Sequence, residues 1–257
     1  MRIDQLLVIR GLASTRSQAQ RLIASGVRWN NHGTWKLVAK NGDEVGAHAD
    51  IELLDRSEAR FVSRGGLKLE GALERLNLPL VGTVCLDLGQ STGGFTDCLL
   101  QHGAAQVVGV DVGSGQLHAQ LRSDPRVTCM ERVNARSLSV AAVLAALAES
   151  GHLDVVQAPF DVIVGDLSFI SQTLVLPAAV PLLKPAGAVL MLVKPQFELQ
   201  PGQVGKGGIV TDKRLYAVVE QRIRAAHATL GLTVRAFFES PIQGGDGNRE
   251  FFIYSVR

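Results

Sequence analysis

The feature that most constrains the fold is a regular alternation, after residue 61, of short apolar segments with segments whose apolar residues repeat at helical spacing. Short apolar runs bounded by turn signals predict buried strands, and the helical spacing predicts amphipathic helices between them. This alternation is typical of an α/β domain, in which helices cover both faces of a mostly parallel sheet. The predicted strands are residues 83–88, 106–111, 127–131, 160–166, 188–193, 233–240 and 250–256.

Several features predict a protein of the reducing cytoplasm without a membrane segment or a metal. The most apolar stretch, residues 174–193, contains three prolines, a lysine and a glycine, whereas a spanning helix needs about 20 unbroken apolar residues. We interpret this stretch as a helix, a turn and a buried strand. The opening residues 1–4 begin no apolar export signal. Cys85, Cys98 and Cys129 share no CxxC spacing, which argues against a disulfide framework or a cysteine zinc site.

Length and charge predict a basic front piece joined to a larger, mildly acidic body. At about 150 residues per domain, 257 residues suffice for one domain and a small appendage. An apolar content of 46% can bury a core and excludes a disordered chain. The net charge is +2, yet residues 1–40 carry seven basic side chains and one acidic side chain. Any nucleic-acid surface must therefore come from local clustering, and this front piece supplies it.

The front piece has the pattern of two short helices followed by short strands. Apolar residues repeat at helical spacing within residues 3–7 and again within residues 19–23. Residues 27–53 then alternate weakly between apolar and polar, which predicts short strands. The residues placed to begin or end the helices are Gly11, Ser14 and Gly26.

Residues 2–7, 14–19 and 23–27 resemble the S4-like RNA-binding domain of ribosomal proteins and RNA-modifying enzymes. The resemblance covers roughly residues 1–55, and we place the domain boundary between residues 58 and 59, inside a polar linker. It implies that this piece binds RNA through a basic surface. The alternative is that the arginines form an ordinary solvated face. The candidate RNA-binding residues are Arg2, Arg10, Arg16, Ser17, Arg21 and Arg64.

A glycine-rich loop, residues 87–96, follows the first strand of the body and opens a helix. Glycines in such a turn let the backbone approach a ligand, but their spacing is not the G-x-G-x-x-G that binds a pyrophosphate. Asp87 at the strand end suits a positively charged ligand, such as the amino group or sulfonium of S-adenosylmethionine. Asp111 follows Gly89 by 22 residues, an offset that suits a carboxylate accepting from ribose hydroxyls. A structural tight turn without a ligand is the alternative.

The segment Asp87–Asp97 is similar to motif I of the FtsJ-like RNA ribose methyltransferases, in the version found in the TlyA (hemolysin A) family. Residues 110–113, 115–118 and 131–136 also resemble that family. Gln90 departs from the usual small residue, and we expect its larger side chain beside the methionine moiety to weaken cofactor binding. The resemblance implies S-adenosyl-L-methionine as cofactor, bound by Asp87, Gly89, Ser91, Gly93, Gly94, Phe95, Asp111, Val112, Asn134 and Asp166.

Four charged residues lie at the edges of apolar segments in the body: Lys68, Asp166, Lys194 and Glu250. Ligands of parallel α/β sheets bind at the carboxyl ends of the strands, and Asp166 and Lys194 both close predicted strands. Glu250 opens the last strand, so it reaches the same edge if that strand runs antiparallel. The residues by themselves would equally allow buried salt bridges.

The FtsJ-like resemblance implies that these four residues form a catalytic Lys-Asp-Lys-Glu tetrad for ribose 2′-O-methylation. Lys194 would take the proton of the 2′-hydroxyl, with its pKa lowered by burial and by the nearby cation of Lys68. Asp166 would orient Lys194, and Glu250 would position Lys68 or the ribose. The implied substrates are cytidines of ribosomal RNA, and the implied reaction needs no metal. Three alternatives stay open: a membrane-active hemolysin, an RNA-binding protein with an inactive methyltransferase body, and a nicotinamide-dependent enzyme.

Overall fold

The computed structural model describes residues 1–13, 15–31, 33–55, 59–149, 160–244 and 247–257. The chain divides into two compact units, Met1–Leu67 and Lys68–Arg257. The division falls inside a helix, Arg64–Leu76, so the second unit begins within a continuous helical segment. A functional boundary between residues 58 and 59 stays a prediction. No helix in the described ranges is long and apolar enough to cross a membrane.

The first unit contains two helices and a small antiparallel sheet in the strand order β2-β1-β3. Its core is formed by the apolar residues that predicted the helices, including Ile3, Leu7 and Leu22, all of which are buried. The bounds are α1 Ile3–Ile9, α2 Arg16–Gly26, β1 Val27–Asn31, β2 Thr34–Leu37 and β3 Ile51–Leu53.

The ends of the second helix follow from local chemistry. The Thr15 hydroxyl accepts the backbone N–H of Gln18 at 3.1 Å and so caps the amino end of α2. Ser14, which the sequence suggested as the cap, lies outside the described residues. Gly26 ends α2 with φ at +116°, a backbone conformation that a side chain would strain, as predicted from its position.

The second unit is built on a sheet of the strand order β6-β5-β4-β7-β8-β10-β9. Strands β4 to β8 pair in parallel, whereas β10 pairs antiparallel with both β8 and β9. The predicted mostly parallel α/β fold is therefore confirmed. The strands are β4 Val84–Leu88, β5 Gln106–Val110, β6 Val127–Met130, β7 Phe160–Gly165, β8 Leu183–Val193, β9 Thr233–Glu239 and β10 Phe251–Val256.

The central strands are buried on both faces, because helices cover the sheet from either side. Every residue of β5 is buried, and Leu86, Ile163 and Val189 of the neighbouring strands are fully buried. The helices are α3 Arg64–Leu76, α4 Gly94–Gln101, α5 Ala119–Arg122, α6 Val140–Glu149, α7 Leu176–Ala179, α8 Pro195–Glu198 and α9 Arg214–Thr229.

Strand β8 begins earlier than the predicted start at residue 188. Leu183 already pairs with Phe160, the chain then loops out, and the regular ladder resumes where Ala188 pairs with Val162. Pro185 and Gly187 lie inside the segment that leaves the ladder, so they mark an interruption of the strand and not its beginning. The preceding stretch folds into the short helix α7, as expected of residues 174–193.

The direction of β10 decides where its first residues lie. Because β10 is antiparallel to β8, Phe251 pairs with Val193 at the carboxyl end of β8. Glu250 and Lys194, which flank that pair, therefore reach the same edge of the sheet. The last strand thus runs antiparallel, as was required for Glu250 to reach this edge. The carboxyl ends of β4, β5, β7 and β8 lie at the same edge.

Candidate active site

A cavity of about 540 Å³ opens at the carboxyl ends of β4, β5 and β7. It holds polar groups on the strand-end loops and an apolar wall, the composition expected of a small-molecule site. Of the residues predicted to bind a cofactor, the cavity is lined by Gly89, Ser91, Asp111, Val112, Asn134 and Asp166.

The turn after β4 is held in place by Asp111. Gly89 has φ at +82°, and a Cβ there would lie 3.0 Å from the backbone oxygen of Asp166, so only glycine permits this close approach. Ser91 has φ at +49°, and its N–H donates to Asp111 Oδ2 at 2.7 Å. Asp111 Oδ1 accepts from the N–H of Gly113 at 2.7 Å. Each carboxylate oxygen keeps lone-pair capacity for a further donor, such as a hydroxyl.

Asp87 is a fully buried carboxyl beneath this turn. Its Oδ2 accepts from the Thr96 hydroxyl at 2.7 Å, while Oδ1 is buried with no hydrogen-bond partner among the described residues. Burial raises the pKa of Asp87 to about 7; the hydroxyl and backbone amide of Thr96 oppose this shift, and the charges of Asp166 and Asp111 add to it. A buried carboxyl with an oxygen lacking a partner fits a site that receives a cation.

Gln90 is placed differently from the sequence expectation. Its side chain is buried, donates from Nε2 to the Thr96 hydroxyl at 2.9 Å, and does not line the cavity. A Cβ on Gly109 would lie 2.0 Å from the Gln90 amide, so the missing side chain of Gly109 provides the room. The Gln90 side chain therefore does not lie at the wall of the cavity, and an effect of this residue on cofactor affinity stays a prediction. Gln90 instead begins a hydrogen-bond chain that passes through Thr96 and ends on Asp87.

Three other predicted cofactor residues lie away from the cavity walls. Gly93 precedes α4, and Gly94 is its buried first residue. Phe95 is buried and stacks on Phe252 with ring centroids 6.3 Å apart, which makes it a core residue. A role for these three residues in binding a cofactor stays a prediction.

Sequence reasoning assigned no role to several residues that line the cavity. Gln116 accepts from the Ser91 hydroxyl at 3.2 Å, and Ser168 contacts the predicted catalytic lysine. Gln116 lies inside a segment that carried the family resemblance, whereas Ser168 follows Asp166 by two residues, and proximity in sequence to Asp111 and Asp166 was the available signal. The other lining residues without an earlier role are Val110, Val133, Ala135, Leu167, Phe169, Ile170 and Val175.

The four residues of the predicted tetrad form two ion pairs at the edge of the sheet. Lys194 Nζ lies 2.6 Å from Asp166 Oδ1 and donates to Ser168 Oγ at 2.8 Å. Lys68 Nζ donates to Glu250 Oε2 at 2.5 Å, and both of these residues are buried. Asp166 and Ser168 also line the cavity, so the Lys194 amine contacts two of the lining residues directly.

The two ion pairs act on each other electrostatically. Burial raises the pKa of Glu250, and the cations of Lys68 and Lys194 oppose that shift, while the carboxylate of Asp166 adds to it. The structure therefore brings all four predicted residues into one cluster of two cations and two carboxylates. Such a compact, charge-balanced cluster beside a cavity is typical of a catalytic site, although buried structural pairs have the same composition.

Phe169 is an exposed aromatic side chain on a strained backbone next to this cluster. It is 90% exposed and has φ at +64°. Its ring centroid lies 5.1 Å from that of Phe197, whose ring lies 6.0 Å from Lys194 Nζ. A large apolar side chain held in the left-handed region and open to solvent points to a functional constraint. The face of Phe169 is available to stack on a flat group beside Lys194.

In the first unit, two predicted RNA-binding arginines converge on one buried carboxylate. Asp4 is fully buried and pairs with Arg2 at 3.0 Å and with Arg16 at 2.8 Å. The Arg2 guanidinium and then the Arg16 guanidinium hold the pKa of Asp4 well below its usual range. The arginine side chains remain 46% and 55% exposed. Asp4 therefore fixes two guanidinium groups side by side on the surface of this unit.

The remaining RNA-binding candidates have local contacts. Arg10 donates to the carbonyl oxygens of Ala47 and Ala49 at 2.7 Å and 2.5 Å, so it also serves to hold a loop of its own unit. Arg21 donates to the carbonyl oxygen of Ser17, one helical turn earlier, at 3.3 Å. Arg64 is the first residue of α3. RNA binding by these residues stays a prediction.

The cysteines and possible metal ligands show no special arrangement. Cys85, Cys98 and Cys129 are free thiols, and burial raises the pKa of Cys85 to about 12. Within the described ranges, no three side chains of histidine, cysteine, aspartate or glutamate are grouped so that they could hold a metal ion.

Comparison with protein families gives a match in each of the two units. The FtsJ-like methyltransferase model matches residues 61–257, and the S4 domain model matches residues 1–26. The first match covers most of the chain and includes the cavity and all four residues of the tetrad. It excludes the nicotinamide-dependent alternative.

Proteins of known name and structure agree with these families. The 16S/23S rRNA (cytidine-2′-O)-methyltransferase TlyA of Mycobacterium tuberculosis is 42% identical over 98% of this chain and 88% of that protein. The candidate rRNA methyltransferase YqxC of Bacillus subtilis is 42% identical over 98% of this chain and 84% of that protein. A solved structure of a candidate hemolysin from Streptococcus thermophilus is 38% identical with a TM-score of 0.74, over 100% of this chain and 88% of that chain. The chain therefore belongs to the FtsJ-like methyltransferase family, in its TlyA (hemolysin A) branch, and begins with an S4 domain.

Proposed function

We propose that this protein methylates the ribose 2′-hydroxyl of a cytidine in ribosomal RNA, with S-adenosyl-L-methionine as the methyl donor. The observation that carries the proposal is the position of Lys194, whose Nζ lies 2.6 Å from a carboxylate that lines the cavity. The named relative TlyA acts on cytidines of both ribosomal RNAs, which supports the choice of substrate. A ribosomal substrate also implies that the protein works in the cytoplasm.

The residues of the cavity suit S-adenosyl-L-methionine, which when bound supplies an activated methyl group. Asp87 lies beneath the turn after β4 and does not line the cavity, but its buried oxygen without a partner among the described residues would hold the ammonium group of a methionine moiety that reaches it. Asp111 would accept from the ribose hydroxyls with the lone pairs that its two backbone contacts leave available. Val112 and Val133 supply apolar surface on the same cavity for a flat base.

Lys194 is the residue that would handle the proton of the reaction. A ribose hydroxyl is a poor nucleophile until its proton is removed, and the Lys194 side chain can accept that proton once its ammonium group has released one to the solvent. The step converts the amine into an ammonium, which is the form that an ion pair with Asp166 stabilises. Ser168 fixes the direction of the amine from a second side. The neighbouring pair of Lys68 and Glu250 balances the charge of the cluster and would contact the ribose.

The surroundings of Lys194 suit a nucleotide that has left its base stack. Phe169 presents an open ring face beside the cluster, and bases of RNA stack on such aromatic faces. The S4 unit would supply the grip on phosphates and on RNA shape that a single flipped nucleotide cannot provide. This division of tasks explains why a basic unit precedes a methyltransferase.

The proposal predicts a specific change in the 2′-O-methylation map of ribosomal RNA. We expect cells that lack this protein to lose methylation at one or more cytidines, and the wild-type protein, but not Lys194→Ala, to restore it. The measurement is a nucleotide-resolution map of 2′-O-methyl groups in both ribosomal subunits, with and without the protein. An unchanged map would contradict the proposed function.

A second prediction concerns the pH dependence of cofactor binding. Because the pKa of Asp87 is raised to about 7 in the free protein, its carboxyl is partly protonated at neutral pH. A cationic ligand selects the carboxylate, so binding releases a proton and weakens as the pH falls. We expect the affinity for S-adenosyl-L-methionine to be about tenfold lower at about pH 6 than its limiting value at higher pH.

Calorimetry between about pH 6 and pH 7.5 measures the slope of log affinity against pH. An α-amino group stays mostly protonated in this range, so the ligand itself contributes little to the slope. Asp87→Asn is the matched variant, because its amide fills the same space and does not titrate in this range. It should bind more weakly at every pH and lose the slope. An equal slope in wild type and Asp87→Asn would show that Asp87 is not the titrating partner of the ligand.

A further inference from the structure

Glu198 is a buried carboxylate that the proposed reaction does not use. It is the last residue of α8, four positions after Lys194, and is 3% exposed. Its Oε2 accepts from the Ser171 hydroxyl at 2.5 Å, and its Oε1 accepts from the backbone N–H of Gln172 at 3.0 Å. Both donors belong to the loop after β7, the same loop that carries Asp166 and Ser168.

Two segments that carry the catalytic residues are therefore linked at both of their ends. At the cavity, Lys194 contacts Asp166 and Ser168. At the far end, Glu198 contacts Ser171 and the following residue. Because both links join the same two segments, a shift of the loop relative to α8 would have to break one of them. The far link thus restricts the positions that Asp166 and Ser168 can take beside the Lys194 amine.

The link extends to β10, the strand that follows the fourth residue of the tetrad. Gln172 Oε1 lies 3.4 Å from His227 Nε2, and His227 Nδ1 lies 2.8 Å from the Ser255 hydroxyl of β10. His227 is fully buried on α9, and burial lowers its pKa to about 4, so the imidazole is neutral. Arg222, also on α9, donates to the backbone oxygen of Glu198 at 2.5 Å. The buried network therefore reaches β10, the strand that begins directly after Glu250.

A carboxylate is required to make both contacts of Glu198 at once. The hydroxyl and the backbone N–H each need an acceptor, and only a carboxylate offers an acceptor on both of its terminal atoms. A glutamine in the same place would set an NH₂ group against one of the two donors. Burial raises the pKa of Glu198, and the hydrogen bonds of Ser171 and Gln172 and the charge of Arg222 oppose this. Burial and these three contacts therefore act in opposite directions on the charged form of the Glu198 carboxyl.

We propose that Glu198 is a positioning residue, which holds the loop after β7 against the Lys194 segment so that Asp166 and Ser168 keep the amine aimed into the cavity. It acts through these residues and touches no reacting atom. The inference rests on the proposed function, because the aim of Lys194 matters only if Lys194 takes the proton. A misplacement of about 1 Å in such a group lowers a catalysed rate by about 100-fold.

The test compares Glu198→Gln with wild type in the full-length protein, on ribosomal subunits from cells that lack it. We expect kcat per cofactor-binding site to fall about 10- to 100-fold. The KM for the subunits and the Kd for S-adenosyl-L-methionine should change less than about threefold. Glu198 is buried, so it offers no surface to RNA, and it is not a lining residue of the cavity. A residue that only stabilises the fold would lower the number of binding sites and leave kcat per site unchanged. Glu220→Gln is the matched control, because Glu220 lies on α9, is partly exposed and pairs within that helix with Arg224, and this change should leave all values unchanged.

Ser171→Ala is the second variant and decides the matter if Glu198→Gln does not fold. It removes one of the two contacts and should lower kcat in the same direction. The double variant should be no slower than Glu198→Gln, since both changes cut the same link. Wild-type kcat per site in either folded single variant would overturn the inference. Failure of wild type to methylate, or full activity of Lys194→Ala in the same assay, would instead overturn the proposed function.

Discussion

Lys194→Ala is expected to lower the rate of methyl transfer by about 10²- to 10⁴-fold, the range that a positioned general base contributes. Lys194 has an amine 2.6 Å from Asp166 and 2.8 Å from Ser168, and both partners line the cavity. The substitution removes the proton acceptor but leaves Asp87 and Asp111 in place. The affinity for S-adenosyl-L-methionine and for RNA should therefore change little. Single-turnover methylation of ribosomal subunits measures the rate, calorimetry measures cofactor binding, and titration with ribosomal RNA fragments measures RNA binding.

Lys194→Arg separates a base from a mere cation at this position. Arginine keeps a positive charge that can pair with Asp166, but it does not lose its proton in proteins. If Lys194 takes the proton, the arginine variant should be nearly as slow as the alanine variant. Lys184→Ala is the matched control, because Lys184 also ion-pairs with an aspartate, Asp161, and is not a lining residue of the cavity. Substantial activity of Lys194→Arg would assign the residue an electrostatic role and contradict proton removal.

Most of the sheet was predictable because its central strands are nearly continuous apolar runs between turn signals. Predicted residues 106–111 and 160–166 agree with Gln106–Val110 and Phe160–Gly165 to within one residue. β8 was less predictable, because the chain leaves the ladder at residues 184–187 and returns to it. Proline and glycine mark such an interruption in the same way as they mark a strand end. Only the pairing of Leu183 with its neighbour, a long-range contact, distinguishes the two cases.

The tetrad as a set came from the resemblance to the FtsJ-like family, whereas the shared edge of two of its members was predictable from the fold. Lys194 and Asp166 end parallel strands, and strand ends of a parallel sheet meet at one edge whatever the details of packing. Gln90 shows the limit of this reasoning, since its direction depends on the space above Gly109 and on the hydroxyl of Thr96. The link between Glu198 and the β7 loop is likewise a contact between segments distant in sequence, with no periodicity to reveal it.

The tetrad and the cavity together argue for an active methyltransferase body over an inactive one. The four charged residues form two ion pairs at short distances, and Asp166 belongs to both the cluster and the cavity wall. The Gln90 side chain, whose departure from the family pattern suggested weak cofactor binding, is buried, does not line the cavity and is linked to Asp87 by hydrogen bonds through Thr96. Its presence is therefore compatible with a working cofactor site.

Removal of residues 1–60 is expected to leave cofactor binding intact and to weaken RNA binding strongly. The truncated chain keeps α3 complete, and with it Lys68, together with every residue that lines the cavity. It loses the exposed guanidinium groups of Arg2, Arg16 and Arg21. If each of these three contacts one phosphate, the slope of log affinity against log salt should become less steep by about 3 units. Binding of ribosomal RNA fragments at several salt concentrations measures the slope.

Arg21→Gln tests the same surface without removing a folded unit. Its side chain donates to the carbonyl oxygen of Ser17 within its own helix, whereas Arg16 helps to neutralise the buried Asp4 and Arg10 holds a loop. The substitution should reduce the salt slope by about 1 unit and leave the melting temperature nearly unchanged. Arg126→Gln in the second unit, where Asp124 pairs with the arginine, is the control and should leave the slope as it is. A truncated protein that binds RNA as tightly as the full chain, with an unaltered slope, would show that the basic front unit is a solvated face and that RNA is held elsewhere.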